Sequence, residues 1–200
     1  MSALVTFGCS LTYGQALSDI HPHNQTPSLL AWPQVLGGLL NMPVINKATM
    51  GASNKEISHR VLNYNFDAND LVVICWTYTN RFCIIGEKDL CQVGTWKEDK
   101  KTKAFFKYLH DDNDMNLNQH YCIHYTDLFL KSKKINSYHL ICNNRKSKRD
   151  RKNLAFFDTN IIDIDYVNLI ATNTRAIDNS HPSEKTHRIL AKKLFKQIQK

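Results

Sequence analysis

The chain has 200 residues, 42% hydrophobic and 22% charged, with a formal net charge of +8. That length suits one domain with a real core, and that balance excludes a wholly disordered chain. No apolar run approaches the ~18 residues of a membrane span; the longest, Leu71 to Trp76, reads as a buried strand.

Taken in order, strands and helices alternate. Ala3 to Phe7 is a short apolar strand that stops at Gly8. This stretch has no basic segment before it and is broken early by Gly8, Cys9 and Ser10, so no leader is expected and a cytoplasmic location is. Leu29 to Leu40 is apolar at helical spacing, with Pro33 near its start. Val44 and Ile45 form a second strand. Ser53 caps a helix to about Tyr64, with Glu56 placed to complete a capping box. Leu71 to Thr77 is a third strand, buried on both faces. A helix over Asn118 to Lys133 precedes a strand over Tyr138 to Cys142, and Ile161 to Ile164 is a candidate fifth strand. Ser183 to Gln199 is amphipathic, with Ile189, Leu190, Leu194 and Ile198 on one side. Such alternation implies a parallel sheet covered by helices, with ligands beyond the carboxyl ends of its strands.

Two segments break the pattern. Residues 86–117 are polar and poor in periodicity, an insertion or lid after the third strand. Residues 143–153 carry Arg145, Lys146, Lys148, Arg149, Arg151 and Lys152, a basic loop able to attract an acidic substrate or nucleic acid. The six cysteines form no C-x-x-C pair and mostly sit in apolar runs, as buried reduced thiols do.

Three segments can carry chemistry. Gly8-Cys9-Ser10-Leu11-Thr12 follows the first strand directly, which sets a serine hydroxyl at the sheet's carboxyl edge. Asn46 to Asn54 follows the second strand; Gly51 lets a backbone N–H approach a ligand, and an Asn beside it can donate to a developing oxyanion. Asp178-Asn179-Ser180-His181-Pro182 precedes the last helix, and its spacing lets a carboxylate orient a histidine. Each segment alone also reads as a turn or a helix cap. Ile161 to Val167 resembles an aspartyl-nucleophile strand of haloacid dehalogenase-type phosphatases, but too little chain follows to supply the later motifs. Asp112 to Asn116 resembles a calcium loop without its Gly and closing Glu. His21-Pro22-His23 has no metal partner at telling spacing.

Together the three segments resemble the SGNH (GDSL-type) hydrolase family, and the likeness runs from Phe7 to the final helix. Cys9-Ser10 with Thr12 stands where that family has its Asp-Ser block, with Cys replacing Asp. Gly51 matches the second block, and Asp178 and His181 match the last. The resemblance implies an α/β fold, a flavodoxin-like three-layer α/β/α sandwich on a five-stranded parallel sheet, as one domain over residues 1–200. It implies Ser10 as nucleophile, His181 as base, Asp178 as its orienting carboxylate, and an oxyanion held by Ser10 and Gly51 N–H. No metal or organic cofactor is called for. The substrate would be a small-molecule, carbohydrate or lipid ester, with the oligomeric state left open.

The third block departs. Where the family has Gly-x-Asn-Asp, the chain reads Cys75-Trp76-Thr77-Tyr78-Thr79-Asn80-Arg81. Asn54 is expected to supply the side-chain oxyanion donor, with Asn80 and Thr77 competing. Arg81 is suited to an anionic substrate group. The departure also keeps open a non-catalytic binding module on the same fold. A nucleic-acid-binding role through the basic loop is a further reading, although no aromatic residues interleave its charges for base stacking.

Overall fold

The computed structural model describes residues 2–20, 26–87, 89–142 and 159–200. Five parallel strands form the main sheet: β1 (Leu4–Phe7), β2 (Val44–Asn46), β3 (Leu71–Trp76), β6 (Asn136–Ile141) and β7 (Ile161–Ile162), in the order β2-β1-β3-β6-β7. Counted within this sheet alone, that is the doubly wound 2-1-3-4-5 order. Helices cover both faces, so the α/β sandwich expected from the alternation is the fold. β1 and β3 are buried at every position because they lie inside the sheet, whereas the edge strand β2 is half-buried.

The helices are α1 (Ser10–Tyr13), α2 (Trp32–Leu40), α3 (Asn54–Leu62), α4 (Lys100–Tyr108), α5 (Asp112–Ser132), α6 (Tyr166–Ala171) and α7 (Glu184–Ile198). α2 packs against α7, and α3 against α5. Most boundaries follow local chemistry. Ser53 Oγ accepts from Glu56 N–H at 3.3 Å, as expected for a cap. The Glu56 carboxylate does not close the box; it accepts instead from Arg60 and from Gln92. α5 starts six residues earlier than its apolar pattern suggests, because Asp111 accepts from Asn113 and Asp114 N–H. The calcium-loop look-alike is therefore the first turn of a helix. Asp165 in the phosphatase look-alike likewise caps α6 through Asn168 N–H. Among the described residues no group of three His, Cys, Asp or Glu could hold a metal. No helix among them is long and apolar enough to cross a membrane.

The polar segment after β3 is structured. β4 (Arg81–Ile85) and β5 (Leu90–Gly94) form an antiparallel hairpin, with Arg81 opposite Gly94, and Asp99 caps α4 through Thr102 N–H. The hairpin begins before residue 86, so the break placed there lies inside it. The basic loop at 143–153 and His21-Pro22-His23 lie outside the described residues. All six cysteines are unpaired thiols.

One tertiary contact replaces a missing cap. α2 begins after Ala31, which has no side chain to accept its first N–H groups; Trp32 N–H donates instead to His187 Nδ1 of α7 at 3.0 Å. His187 is fully buried, and burial, with the nearby His181 adding to it, pushes its pKa down to about 3. The unfolded ring takes up a proton near its ordinary value of about 6.5, so the unfolded state gains protons first and stability is lost as pH falls from about 6.5 toward 3. Between pH 7 and pH 5 this group should cost about 2 kcal/mol of stability. In urea melts, the stability gap between the wild type and His187→Asn, which does not titrate, should narrow by about that amount. A gap that stays constant would show that His187 is not held neutral.

Candidate active site

The carboxyl edge of the sheet gathers the sequence-predicted residues. Ser10 opens α1 immediately after β1, Gly51 sits in the loop after β2, Asn54 opens α3, and Thr77 follows β3. The turn after β1 is tight: a Cβ on Gly8 would lie 2.2 Å from Thr12 Oγ1 and 2.7 Å from Thr12 Cβ. Only glycine lets the chain fold back there and present Ser10. The loop after β2 is tied to the same turn. Thr49 N–H donates to Gly8 O at 3.0 Å, and Asn46 Nδ2 donates to Thr12 O at 3.0 Å. Gly51 has φ 75°, and a Cβ there would lie 2.8 Å from Gln92 Oε1 and 3.1 Å from the Trp96 ring. The hairpin thus closes over Gly51. Among the described residues, the N–H groups of Ser10 and Gly51 donate no hydrogen bond.

The carboxylate and imidazole are assembled. Asp178 Oδ2 lies 2.5 Å from His181 Nδ1. Asp178 also accepts from the backbone N–H groups of Ser180 and His181, each at 3.0 Å. Asn179 adopts φ 55°, a left-handed conformation that Asn tolerates, and this bends the three-residue span back on itself. Arg175 pins the loop through Ser180 O at 3.1 Å. Partial burial alone would raise the Asp178 pKa. The His181 backbone and ring and the Ser180 N–H outweigh it, and the pKa falls to about 2. The carboxylate is therefore charged across the whole neutral range. With Nδ1 turned to Asp178, His181 presents Nε2 on its other side.

Ser10 and His181 are not hydrogen-bonded to one another, and Ser10 Oγ makes no hydrogen bond among the described residues. Ser10 itself is 3% exposed. Two contacts tie neighbouring elements together. Tyr166 Oη donates to Leu11 O at 3.3 Å, and His187 of α7 holds the start of α2. Catalytic hydrogen bonds are often long before substrate arrives.

The third block is tied down by its neighbours. Sheet pairing ends at Trp76, whose carbonyl accepts from Cys142 N–H at 2.9 Å. Thr77 is fully buried one residue later. Its N–H donates to Asn54 Oδ1 at 2.8 Å, and its carbonyl accepts from Asn54 Nδ2 at 3.2 Å and from Gln119 Nε2 at 3.0 Å. Asn54 is thus a clamp on the end of β3, with one of its two Nδ2 protons committed to Thr77. Thr77 has no backbone N–H left to offer, and its Oγ1 is buried without a partner. Asn80 is exposed in the turn leading to the hairpin. Arg81 stacks between Tyr78 and Trp96, at 5.5 and 4.8 Å from the ring centroids. Sequence reasoning missed Gln92, Trp96 and Gln119. Neither Gln119 on its helix nor the hairpin pair had a distinctive sequence signal.

Burial raises the thiol pKa of Cys75, and that of Cys142 to about 12, so both remain neutral beneath the site. A separate cavity of about 360 Å³ opens near the carboxyl ends of β1 and β2, where Lys47, His59, Arg60 and Tyr64 line it; none of Ser10, Asp178 or His181 does.

No protein-family model matches the sequence, and no curated protein matches it. Solved structures do match over nearly the whole chain. A protein described as lipolytic and of the G-D-S-L family, from Desulfitobacterium hafniense, is 14% identical, with 98% of this chain and 99% of that one covered at a TM-score of 0.56. The psychrotrophic esterase EstA from Pseudoalteromonas sp. is 10% identical, with 100% and 97% covered and a TM-score of 0.58. Phospholipase A1 from Streptomyces albidoflavus is 10% identical, with 99% and 98% covered and a TM-score of 0.57. The chain has the fold of the SGNH/GDSL-type hydrolases.

Asn54→Ala leaves the buried Thr77 N–H without a partner. It should cost about 2–3 kcal/mol, since an unsatisfied buried group costs roughly 1–3 kcal/mol. Gln119→Ala leaves the Thr77 carbonyl bonded to Asn54 and should cost less, about 1 kcal/mol. Chemical melts of both variants check this order; equal losses would show that Asn54 is not the stronger clamp.

Proposed function

We propose that this protein is a serine hydrolase of carboxylic esters, acting as one domain through Ser10, His181 and Asp178. The observation that carries the reading is the Asp178–His181 pair, 2.5 Å apart just before the last helix, in a chain with a serine directly after β1. The fold shared with the lipolytic protein, the esterase and the phospholipase supports it.

In this mechanism Ser10 Oγ attacks the ester carbonyl carbon while His181 Nε2 takes its proton. The imidazolium that forms is stabilised by Asp178, which stays ionised throughout. The carbonyl oxygen becomes an oxyanion. Ser10 N–H and Gly51 N–H, both without acceptors among the described residues, are its backbone donors, and the second Nδ2 proton of Asn54 is the side-chain donor. The C–O bond to the alcohol then breaks, and His181 returns the proton to the leaving oxygen. Water attacks the acyl-Ser10 ester in the same way, with His181 again as base, and releases the carboxylic acid. Every proton moves between groups of this chain, substrate and water. The ester is that of a small molecule, carbohydrate or lipid, consistent with the acetyl xylan esterase and phospholipase among the structural neighbours.

The test is hydrolysis of p-nitrophenyl acetate. The wild type should turn it over. Ser10→Ala and His181→Ala should each lower kcat by about a thousandfold or more while staying folded. A folded wild type with no turnover, or variants that keep most of it, would leave the non-catalytic module as the reading.

A further inference from the structure

Arg81 is held in an unusual way for a surface-facing cation. It opens β4 opposite Gly94, and its guanidinium carbon sits 4.8 Å from the Trp96 ring centroid and 5.5 Å from that of Tyr78. Nη1 is buried and has no hydrogen-bond partner. No carboxylate pairs with the guanidinium among the described residues. Stacking on two aromatic rings holds the planar group in place, but it satisfies none of the in-plane N–H donors. A buried guanidinium N–H with no acceptor costs stability, and a bound anion would remove that cost. The same Trp96 ring covers Gly51, the proposed backbone oxyanion donor, with 3.1 Å between the ring and a Cβ built there. One indole therefore separates the cation from the oxyanion position. Gln92 holds the hairpin down at this point, through Met50 O at 3.1 Å and Glu56 Oε2 at 2.9 Å.

We propose that Arg81, clamped by Tyr78 and Trp96, is an anion subsite of the active site, and that the substrate is an ester carrying a carboxylate or phosphate close to the scissile bond. The subsite rests on the hydrolase reading for its purpose, but its binding chemistry stands without it. Guanidinium pairs with either oxyanion through two parallel N–H···O bonds, and partial burial makes that pairing stronger. The aromatic clamp fixes the plane of the fork, so Lys cannot substitute fully.

Two measurements separate this proposal from the reading it rests on. The first compares kcat/KM for the p-nitrophenyl half-esters of succinate, glutarate and adipate with that for neutral p-nitrophenyl esters of the same chain length, at low and high salt. The wild type should prefer at least one anionic ester by about tenfold, with the preference shrinking in high salt. Arg81→Gln should bring the ratio near one, Arg81→Lys should restore part of it, and Trp96→Ala should lower it. A ratio that Arg81→Gln leaves unchanged, or no anionic preference in the wild type, overturns the proposal.

The second measurement needs no catalysis. Calorimetric titration of Ser10→Ala with succinate, and separately with inorganic phosphate, should show saturable binding of at least one of them. Adding Arg81→Gln should abolish that binding while the melting curve stays cooperative; the anion that binds identifies the group as carboxylate or phosphate. Failure of both anions to bind, or binding indifferent to Arg81, overturns the subsite. Arg81-dependent binding without turnover of any ester would sink the hydrolase reading and leave the subsite standing. Turnover of neutral esters without anionic preference would do the reverse.

Discussion

β3 runs through the middle of the sheet and stops being a strand at Trp76, but the chain stays buried for one more residue. Thr77 therefore has an N–H and a carbonyl in a place that water does not reach and no strand partner covers. Buried peptide groups in that position must find acceptors and donors elsewhere. Asn54 supplies one of each, and Gln119 adds a second donor to the carbonyl. A carboxamide matches a peptide edge atom for atom, so this one contact fixes where α3 starts relative to the end of β3. The position of Gly51, three residues before Asn54, follows from it. So does the path of the hairpin that leaves β3 at Arg81 and comes back to cover Gly51.

Around that clamp the polar contacts divide by task. Asp111, Asp99, Ser53 and Asp165 end helices locally. Asn46 and Tyr166 reach across the sequence to the turn after β1, and His187 reaches the start of α2. A further buried chain backs β3: Trp76 Nε1 donates to His139 Nδ1 at 3.0 Å, and the other ring nitrogen lies 3.5 Å from Asp127. Ligand chemistry in open α/β sheets occurs at the carboxyl edge.

The parallel sheet was legible because its strands are short apolar runs separated by helical patterns, and Ser53 and Pro33 marked helix starts correctly. The Asp178–His181 pair was legible because a three-residue spacing needs only a local turn. The contact of Asn54 with Thr77 was not. A residue that opens a helix next to a flexible glycine has the same sequence signature whether it donates to a ligand or to a peptide 23 residues away, and only the fold brings Thr77 to it. The hairpin was hidden for a related reason. Arg81 to Ile85 comes only four residues after the third strand, with no helical pattern between, and Leu90 to Gly94 alternates too briefly to stand out from polar surroundings. Trp96 and the aromatic clamp on Arg81 depend on that hairpin and were hidden with it.

If the carboxyl edge is a serine hydrolase site, one hydroxyl must differ chemically from the other serines of the chain. A fluorophosphonate probe reacts with a serine whose proton a positioned base can remove. The direct measurement is to label the folded protein with such a probe, digest it and identify the modified peptide. The account predicts stoichiometric modification of Ser10, lost in His181→Ala. Modification of a different serine, or a folded protein that takes up no label, would contradict it.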